Sequence, residues 1–331
     1  MFDRFFSPLL KRRTRRTLLA SAILFVGAAM AADPFPSRPL TLLVPFPAGG
    51  VTDFVARAVA QGLTRQLGQQ VVIDNKAGGG GTVGAAQVAR APADGYTILM
   101  GGPADQVNAP FLMTKPLYDP ARDFEPVGCL LRAPNVLVVN AKLPARTLAD
   151  LVQAAKKEPG KLNYGSSGNG GTSHLQGELL AMTTNIDITH VPYRGSAPAI
   201  NDTIAGQIQM IFANTASVIQ HIQSGALRPI AVTSRTRISE LPNVPTFRES
   251  GVALEVYSWS CLVVAAKTPS EVVDKLHAAL TRALDDPAVI QAVATTGGEK
   301  FSTSREEAKR FLAAERALWS GVIRARKIHA D

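Results

Sequence analysis

Three times along this 331-residue chain a β-rich run breaks into glycines and then into a helical pattern, and no other feature restricts the fold as strongly. The first segment is Val44-Pro45-Phe46-Pro47-Ala48-Gly49-Gly50-Val51-Thr52-Asp53. The second is Asn75-Lys76-Ala77-Gly78-Gly79-Gly80-Gly81-Thr82-Val83-Gly84, and the third Tyr164-Gly165-Ser166-Ser167-Gly168-Asn169-Gly170-Gly171-Thr172-Ser173-His174. Around them, short β-rich runs alternate with helix-period stretches, the signature of an α/β fold in which helices wrap largely parallel sheets. Strands are predicted at 40–46, 70–75, 96–101, 127–140, 162–166, 188–193, 209–213, 227–234 and 257–265. Nine strands suit two sheets better than one, and a chain of this length divides readily into two compact units.

The helices announce their starts. Residues 53–67 place Phe54, Val55, Ala58, Val59, Leu63 and Leu67 on one face, and Thr147 with Asp150 three residues on forms a capping box. Thr268-Pro269 opens a helix to about residue 284, and another from about Ser304 carries Phe311, Leu312, Leu318 and Trp319. No flexible joint or internal repeat interrupts the pattern, so 127–140 and 227–234 are the expected hinge strands. The resulting division is a lobe of residues 32–127 with 232–331 and an inserted lobe of 128–231.

The formal charge of +9 first suggests nucleic acid. Six of the 35 basic residues and one of the 26 acids fall within residues 1–31, however, leaving 29 against 25. That mild, dispersed excess argues against DNA or RNA as a partner. Residues 1–31 read instead as a signal peptide: a basic region ending at Arg16, an apolar run from Leu18 to Met30, and the small-residue pattern Ala29-Met30-Ala31. The run is short for a membrane span. Cleavage near Ala31 and an exported, periplasmic location are therefore expected. Cys129 and Cys261 both lie in apolar strand-like runs and read as two buried small hydrophobes, with a single disulfide as the alternative.

A helix start presents free N–H groups and a partial positive charge, and glycine admits a ligand close to that backbone. Glycine-rich helix starts at the carboxyl ends of strands therefore describe a pocket for an anion, with a carboxylate as its natural occupant. The second segment also matches G-x-G-x-x-G through Gly79, Gly81 and Gly84, with Asp105 in the place of a ribose-binding acid. The alternative to a receptor is accordingly an exported oxidoreductase that holds a cofactor on the 79–84 loop. Catalytic groupings are sparse. His174, His190, His221, His277 and His329 show no metal spacing, so no metal, cofactor or enzymatic role is expected. His277 and His329 are expected to be solvated, and Ser173-His174 reads as a capping serine beside a structural histidine. Asp53 is expected to cap its helix, and Arg194 either meets a ligand carboxylate or pairs with a surface acid.

Taken in order, these segments resemble the Bug family of periplasmic solute-binding proteins, the receptors of tripartite tricarboxylate transporters. The likeness rests on Val44 to Gly50 with Asp53, Ala56 and Arg57, on Val72 to Lys76 with Gly78 to Gly81, and on Ala91-Pro92-Ala93-Asp94-Gly95-Tyr96. It continues through Tyr164 to Gly168, His174-Leu175, Pro192-Tyr193-Arg194-Gly195 and Gly225 to Arg228. The resemblance implies a two-lobed type II periplasmic-binding-protein fold. Such a protein, a monomer, closes on a small organic acid and hands it to a membrane permease. It further implies one wall of Pro47, Ala48, Gly49, Thr52 and Asp53, a second of Gly80, Gly81 and Thr82, and an opposing face of Ser166, Ser167, Thr172 and Arg194. The chain departs from the family at Phe212-Ala213-Asn214, where an acid often follows the phenylalanine. The loss of that acid removes a partner for an amino group and favours an acid without one, while Asn214, Thr215 and Ser217 are expected to take over part of the contact.

Overall fold

The computed structural model describes residues 35–329, and the expected signal peptide, residues 1–31, lies outside the described residues. The chain divides into a leading unit, Met1–Ser37, and a body, Arg38–Asp331. The body carries every helix and strand among the described residues.

It opens with β1 (Leu40–Val44), α1 (Val51–Leu67) and β2 (Val71–Asn75). Leu40, Leu42, Leu43 and Val44 are all fully buried, as a parallel strand covered on both faces requires. The helix buries Val55, Val59 and Leu63 and stops at Gly68, whose φ of 69° is the left-handed turn that glycine supplies at a helix end. Phe54, expected on the inward face, is instead 51% exposed, because the buried stripe runs through its neighbour Val55 and a residue one step away points about 100° off.

A glycine turn, Gly79–Gly81, leads into α2 (Thr82–Ala89) and β3 (Thr97–Gly101), and a π-helical turn, Ala104–Asn108, runs into α3 (Ala109–Leu112). The chain then enters β4 (Phe124–Asn140), 17 residues long and the axis of the sheet arrangement. Beyond it follow α4 (Leu148–Lys157), β5 (Asn163–Ser166), α5 (Thr172–Thr184), β6 (Thr189–Pro192), α6 (Ser196–Ala205), β7 (Met210–Asn214), α7 (Thr215–Gln223) and β8 (Leu227–Val232). The return passes through β9 (Tyr257–Ala265), α8 (Ser270–Ala283), α9 (Pro287–Thr295), β10 (Glu299–Lys300) and α10 (Arg305–Arg326). The capping boxes at Thr147 and Ser304 are both formed, each side chain accepting the N–H three residues on.

The strand order is β2-β1-β3-β9-β4-β7-β5-β6, with β8 and β10 also on β4. The first sheet is parallel through β2, β1 and β3, then antiparallel where β9 pairs with β3 and β4. The second has β5 parallel to β6 and β7, with β4 antiparallel to β7 and β8. β4 belongs to both: Phe124 to Pro134 pair with β9, and Asn135 onward with β7. The sheets thus change over between Pro134 and Asn135, and the boundary expected at 127–128 falls in the part of β4 still bonded to β9. One apolar cluster runs from Leu43 and Leu99 through Trp259 and Trp319 to Leu175 and Ile188. A second, with Val136, Val138, Ile211 and Val232, belongs to the β4–β7–β8 part.

Three local expectations are corrected. Cys129 and Cys261 form a disulfide, because the register of β4 against β9 sets them directly opposite one another, a pairing across 132 residues that spacing alone does not reveal. His277 is half-buried rather than solvated, its Nδ1 lying 2.9 Å from the Val127 carbonyl oxygen as α8 packs on β4. Leu318 is 36% exposed, since α10 turns its Leu312 and Trp319 face inward.

Candidate functional site

A cavity of about 220 Å³ opens where the carboxyl ends of β1, β3 and β7 and the start of α5 face the β4–β9 pair. That is room for a small organic molecule. Thr52 reaches it from α1, Thr172 from α5 and Asn214 from the start of α7. Neither α1 nor α5 carries a side-chain cap, whereas α4, α9 and α10 are capped by Thr147, Asp286 and Ser304. Their first N–H groups are thus left to whatever enters, with the positive ends of the helix dipoles behind them. At α7 the Asn214 Oδ1 accepts the Ala216 N–H at 3.0 Å, so the side chain presents its NH2 group.

Of the remaining residues expected at the site, several have their polar atoms committed within the protein. Asp53 is buried, and its carboxylate accepts the Gly49 N–H at 2.9 Å, Arg57 Nε at 2.9 Å and Asn75 Nδ2 at 3.0 Å. It therefore fastens the 46–50 loop to α1 and β2 rather than capping the helix itself. The Arg57 guanidinium, followed by the Gly49 and Asn75 bonds, outweighs burial and holds this carboxyl below the usual carboxylate range. Thr82 is buried and donates to the Gly79 carbonyl, and buried Thr215 donates to the Pro134 carbonyl at 3.3 Å. Ser166 is buried, accepts the Gly168 N–H and lies 2.6 Å from His190 Nε2. Pro47, Ala48, Gly49, Gly80 and Ser167 are exposed, whereas Gly81 is buried against Asp105 and Pro45. Arg194 is exposed ahead of α6 and forms no ion pair with an acid among the described residues.

His174 of α5 and His190 of β6 form a structure that the sequence conceals. His174 accepts the Gly170 N–H on Nδ1 at 3.0 Å and stacks on His190 with centroids 3.6 Å apart. Beneath them Glu178 accepts from the Tyr164 hydroxyl at 2.6 Å and from Arg326 of α10, and faces His174 Nε2 at 3.7 Å. Burial disfavours the charged Glu178, but bonds from His174, Tyr164 and Arg326 win and lower it to about 2. Burial, and then the neighbouring His174, lower His190 to about 4. Both histidines support the 166–172 loop from behind, as the structural reading of His174 anticipated. Among the described residues no group of three metal-binding side chains occurs.

Sequence reasoning did not reach the cavity's other side. Met100 ends β3 with Gly101; Gly102, Pro103 and Ala104 follow that strand, and Leu131, Ala133, Ser258, Trp259 and Ser260 come from β4 and β9. Gly101-Gly102-Pro103 repeats the strand–glycine–helix design and offered a signal; the β4 and β9 contributions depend on register and offered none. The 79–84 glycine loop does not line the cavity, and Asp105 is fully buried with its oxygens bonded to Gly102 N–H and Gln106 Nε2.

A small uncharged cavity of apolar and neutral polar groups with two open helix starts, set where one strand joins two α/β sheets, defines a solute-binding receptor. The chain belongs to the tripartite tricarboxylate transporter family of receptors, whose pattern matches residues 55–328. It is 38% identical over 323 residues to the UPF0065 protein in the tcbD-tcbE intergenic region of Pseudomonas sp. strain P51, covering 96% of each chain. Among solved structures, an R. palustris protein with adipate shares 37% identity at a TM-score of 0.75, over 89% of this chain and 99% of that one. The periplasmic binding protein BugD shares 35% at 0.72, over 90% and 100%. MatC from Rhodopseudomonas palustris with bound malate shares 30% at 0.72, over 87% and 100%.

Proposed function

We propose that this receptor, exported to the periplasm and freed of its leader near Ala31, captures a small carboxylate in the cavity beside β4 and delivers it, as a monomer, to a membrane permease. The observation that carries the reading is the convergence on one small space of the two uncapped helix starts, those of α1 and α5, with the Asn214 amide at the start of α7. An anion there gains backbone N–H bonds and favourable dipoles without a neutralising side chain. The adipate and malate in the related structures support the same ligand class. Family membership and BugD's description support the location, and no helix among the described residues is long and apolar enough to cross a membrane.

In this reading Thr52, Thr172 and Asn214 touch the ligand. Pro47, Ala48, Gly49, Gly80, Gly81, Ser167 and Arg194 complete the enclosure as a lobe of 32–127 with 232–331 closes on one of 128–231. Asp53, Thr82, Ser166 and Thr215 brace these loops. Binding is the whole activity, with no catalysis, and the closed form is favoured by contacts that exist only there. The oxidoreductase alternative has no support in the 79–84 loop, which does not line the cavity, or in the buried position of Asp105.

Gly50→Asp tests the site. Gly50 is the N-cap of α1 with extended backbone (φ −79°), and an added Cβ meets nothing closer than 3.5 Å, so the fold accepts the change and the helix gains a capping carboxylate. The same carboxylate occupies the anion's place. The variant is expected to keep or raise its melting temperature while losing the stabilisation that carboxylates give the parent protein. An undiminished shift on adding ligand would remove this cavity from consideration.

A further inference from the structure

Between α10 and the stretch from α3 to residue 121 lies a groove of about 490 Å³, larger than the 220 Å³ cavity beside β4 and sharing no lining residue with it. Pro110, Phe111, Pro116, Pro120 and Ala317 give it apolar walls, and the three prolines have no N–H to offer an occupant. Phe111 is 43% exposed, so the groove lies open on the surface. Of its polar side chains, three are committed within the protein. The Tyr118 hydroxyl donates to the Asp105 carbonyl, Asp119 Oδ1 accepts the Ala121 N–H at 2.9 Å, and the Ser320 hydroxyl accepts from Arg324 at 3.0 Å. The remaining one is Arg316, half-buried, whose guanidinium forms no hydrogen bond and no ion pair among the described residues. Burial disfavours its charge, and the attraction of Asp119 from beyond ion-pair distance does not make up the difference. A guanidinium stays charged all the same, and a half-buried charge without a partner is a cost that a carboxylate, binding it in two-pronged fashion, would remove.

A second hollow of about 240 Å³ meets the groove at Pro120, Ala121 and Arg316, with Phe124, Pro126 and Leu312 in its lining. Its own acid, Glu125, is already paired with Arg305 and Lys309. Arg316 therefore stands at the junction of two hollows that each offer apolar surface. We infer that this depression is a docking surface for an extended segment of a partner polypeptide in which an Asp or Glu is flanked on both sides by apolar residues, the carboxylate taking Arg316 and the flanking side chains the two hollows. A groove open along the surface suits a polypeptide better than a small free acid, since small ligands are held in clefts that cover most of their surface.

An immobilised library of random octapeptides, selected with the purified protein, tests this. The enriched peptides are expected to carry an Asp or Glu between apolar residues. In calorimetry the best of them should bind about tenfold more weakly to Arg316→Glu and about threefold more weakly to Phe111→Ser. Asp119→Asn keeps an acceptor for the Ala121 N–H while removing the groove's own acid, and should bind the peptide about twofold more tightly. Melting temperatures establish that each variant is folded, and Arg316→Gln takes the place of Arg316→Glu should the latter not fold. No enrichment, enrichment of peptides without an acid, or undiminished binding to a folded Arg316 variant overturns the inference. So does sedimentation showing that the protein self-associates and that Arg316→Glu makes it monomeric, since the groove would then be a contact between copies.

Discussion

Asp105 illustrates how a single buried side chain can set the pH response of this protein. It is completely inaccessible, and burial pushes its carboxyl up to about 7 against the opposing bonds from Gln106 and Gly102. The folded protein therefore binds a proton that the unfolded chain, titrating near 4, has already released. This contribution to stability is complete below about pH 4 and is lost as the pH rises through 7. Asp105→Asn keeps an oxygen for the Gly102 N–H and stays neutral throughout. It is expected to abolish this part of the pH dependence and to raise stability at pH 8 by about 1–3 kcal/mol. Urea midpoints measured for both proteins between pH 4 and 8 check this, and parallel curves would refute it. Glu178 and His190 act in the opposite sense. Each is lowered in the folded state, so each withdraws stability as the pH falls, from below about 6.5 for the histidine and about 4.5 for the glutamate. None of these three roles was legible in the sequence, because each depends on neighbours distant along the chain.

At the scale of elements, local chemistry was legible and pairing was not. The cap at Thr147, the helix start at Ser304 and all nine expected strands appear, since each depends on residues within one turn or one run of the chain. The two-residue β10 escaped notice because its pairing with Arg132 and Leu131 is all that makes it a strand. The same limit hid the Cys129–Cys261 bond, which joins β4 to β9 across 132 residues. Closing so long a loop contributes about 2–4 kcal/mol. Replacing both cysteines with alanine is expected to lower stability by that amount without removing ligand binding, as urea unfolding and calorimetry would show. A loss below about 1 kcal/mol would mean that the strands hold their register without the bond. Such a bond forms and lasts only where thiols can oxidise, which agrees with the proposed export.

For the whole molecule, the glycine-bounded helix starts were enough to foresee an α/β receptor and two of the three helices that meet at the cavity. The contribution of β4 and β9 to the cavity was not foreseeable, since it comes from a long strand and its partner that read simply as core. The proposed closure makes a global prediction: adding a bound carboxylate should reduce the radius of gyration measured by small-angle X-ray scattering. A bound protein with unchanged scattering would restrict the motion to loops. Finally, β4 gives its first eleven residues to one sheet and the rest to the other. Neither half can complete its hydrogen-bonded array while the other is undone, so the molecule should melt as one cooperative unit instead of shedding its halves in turn.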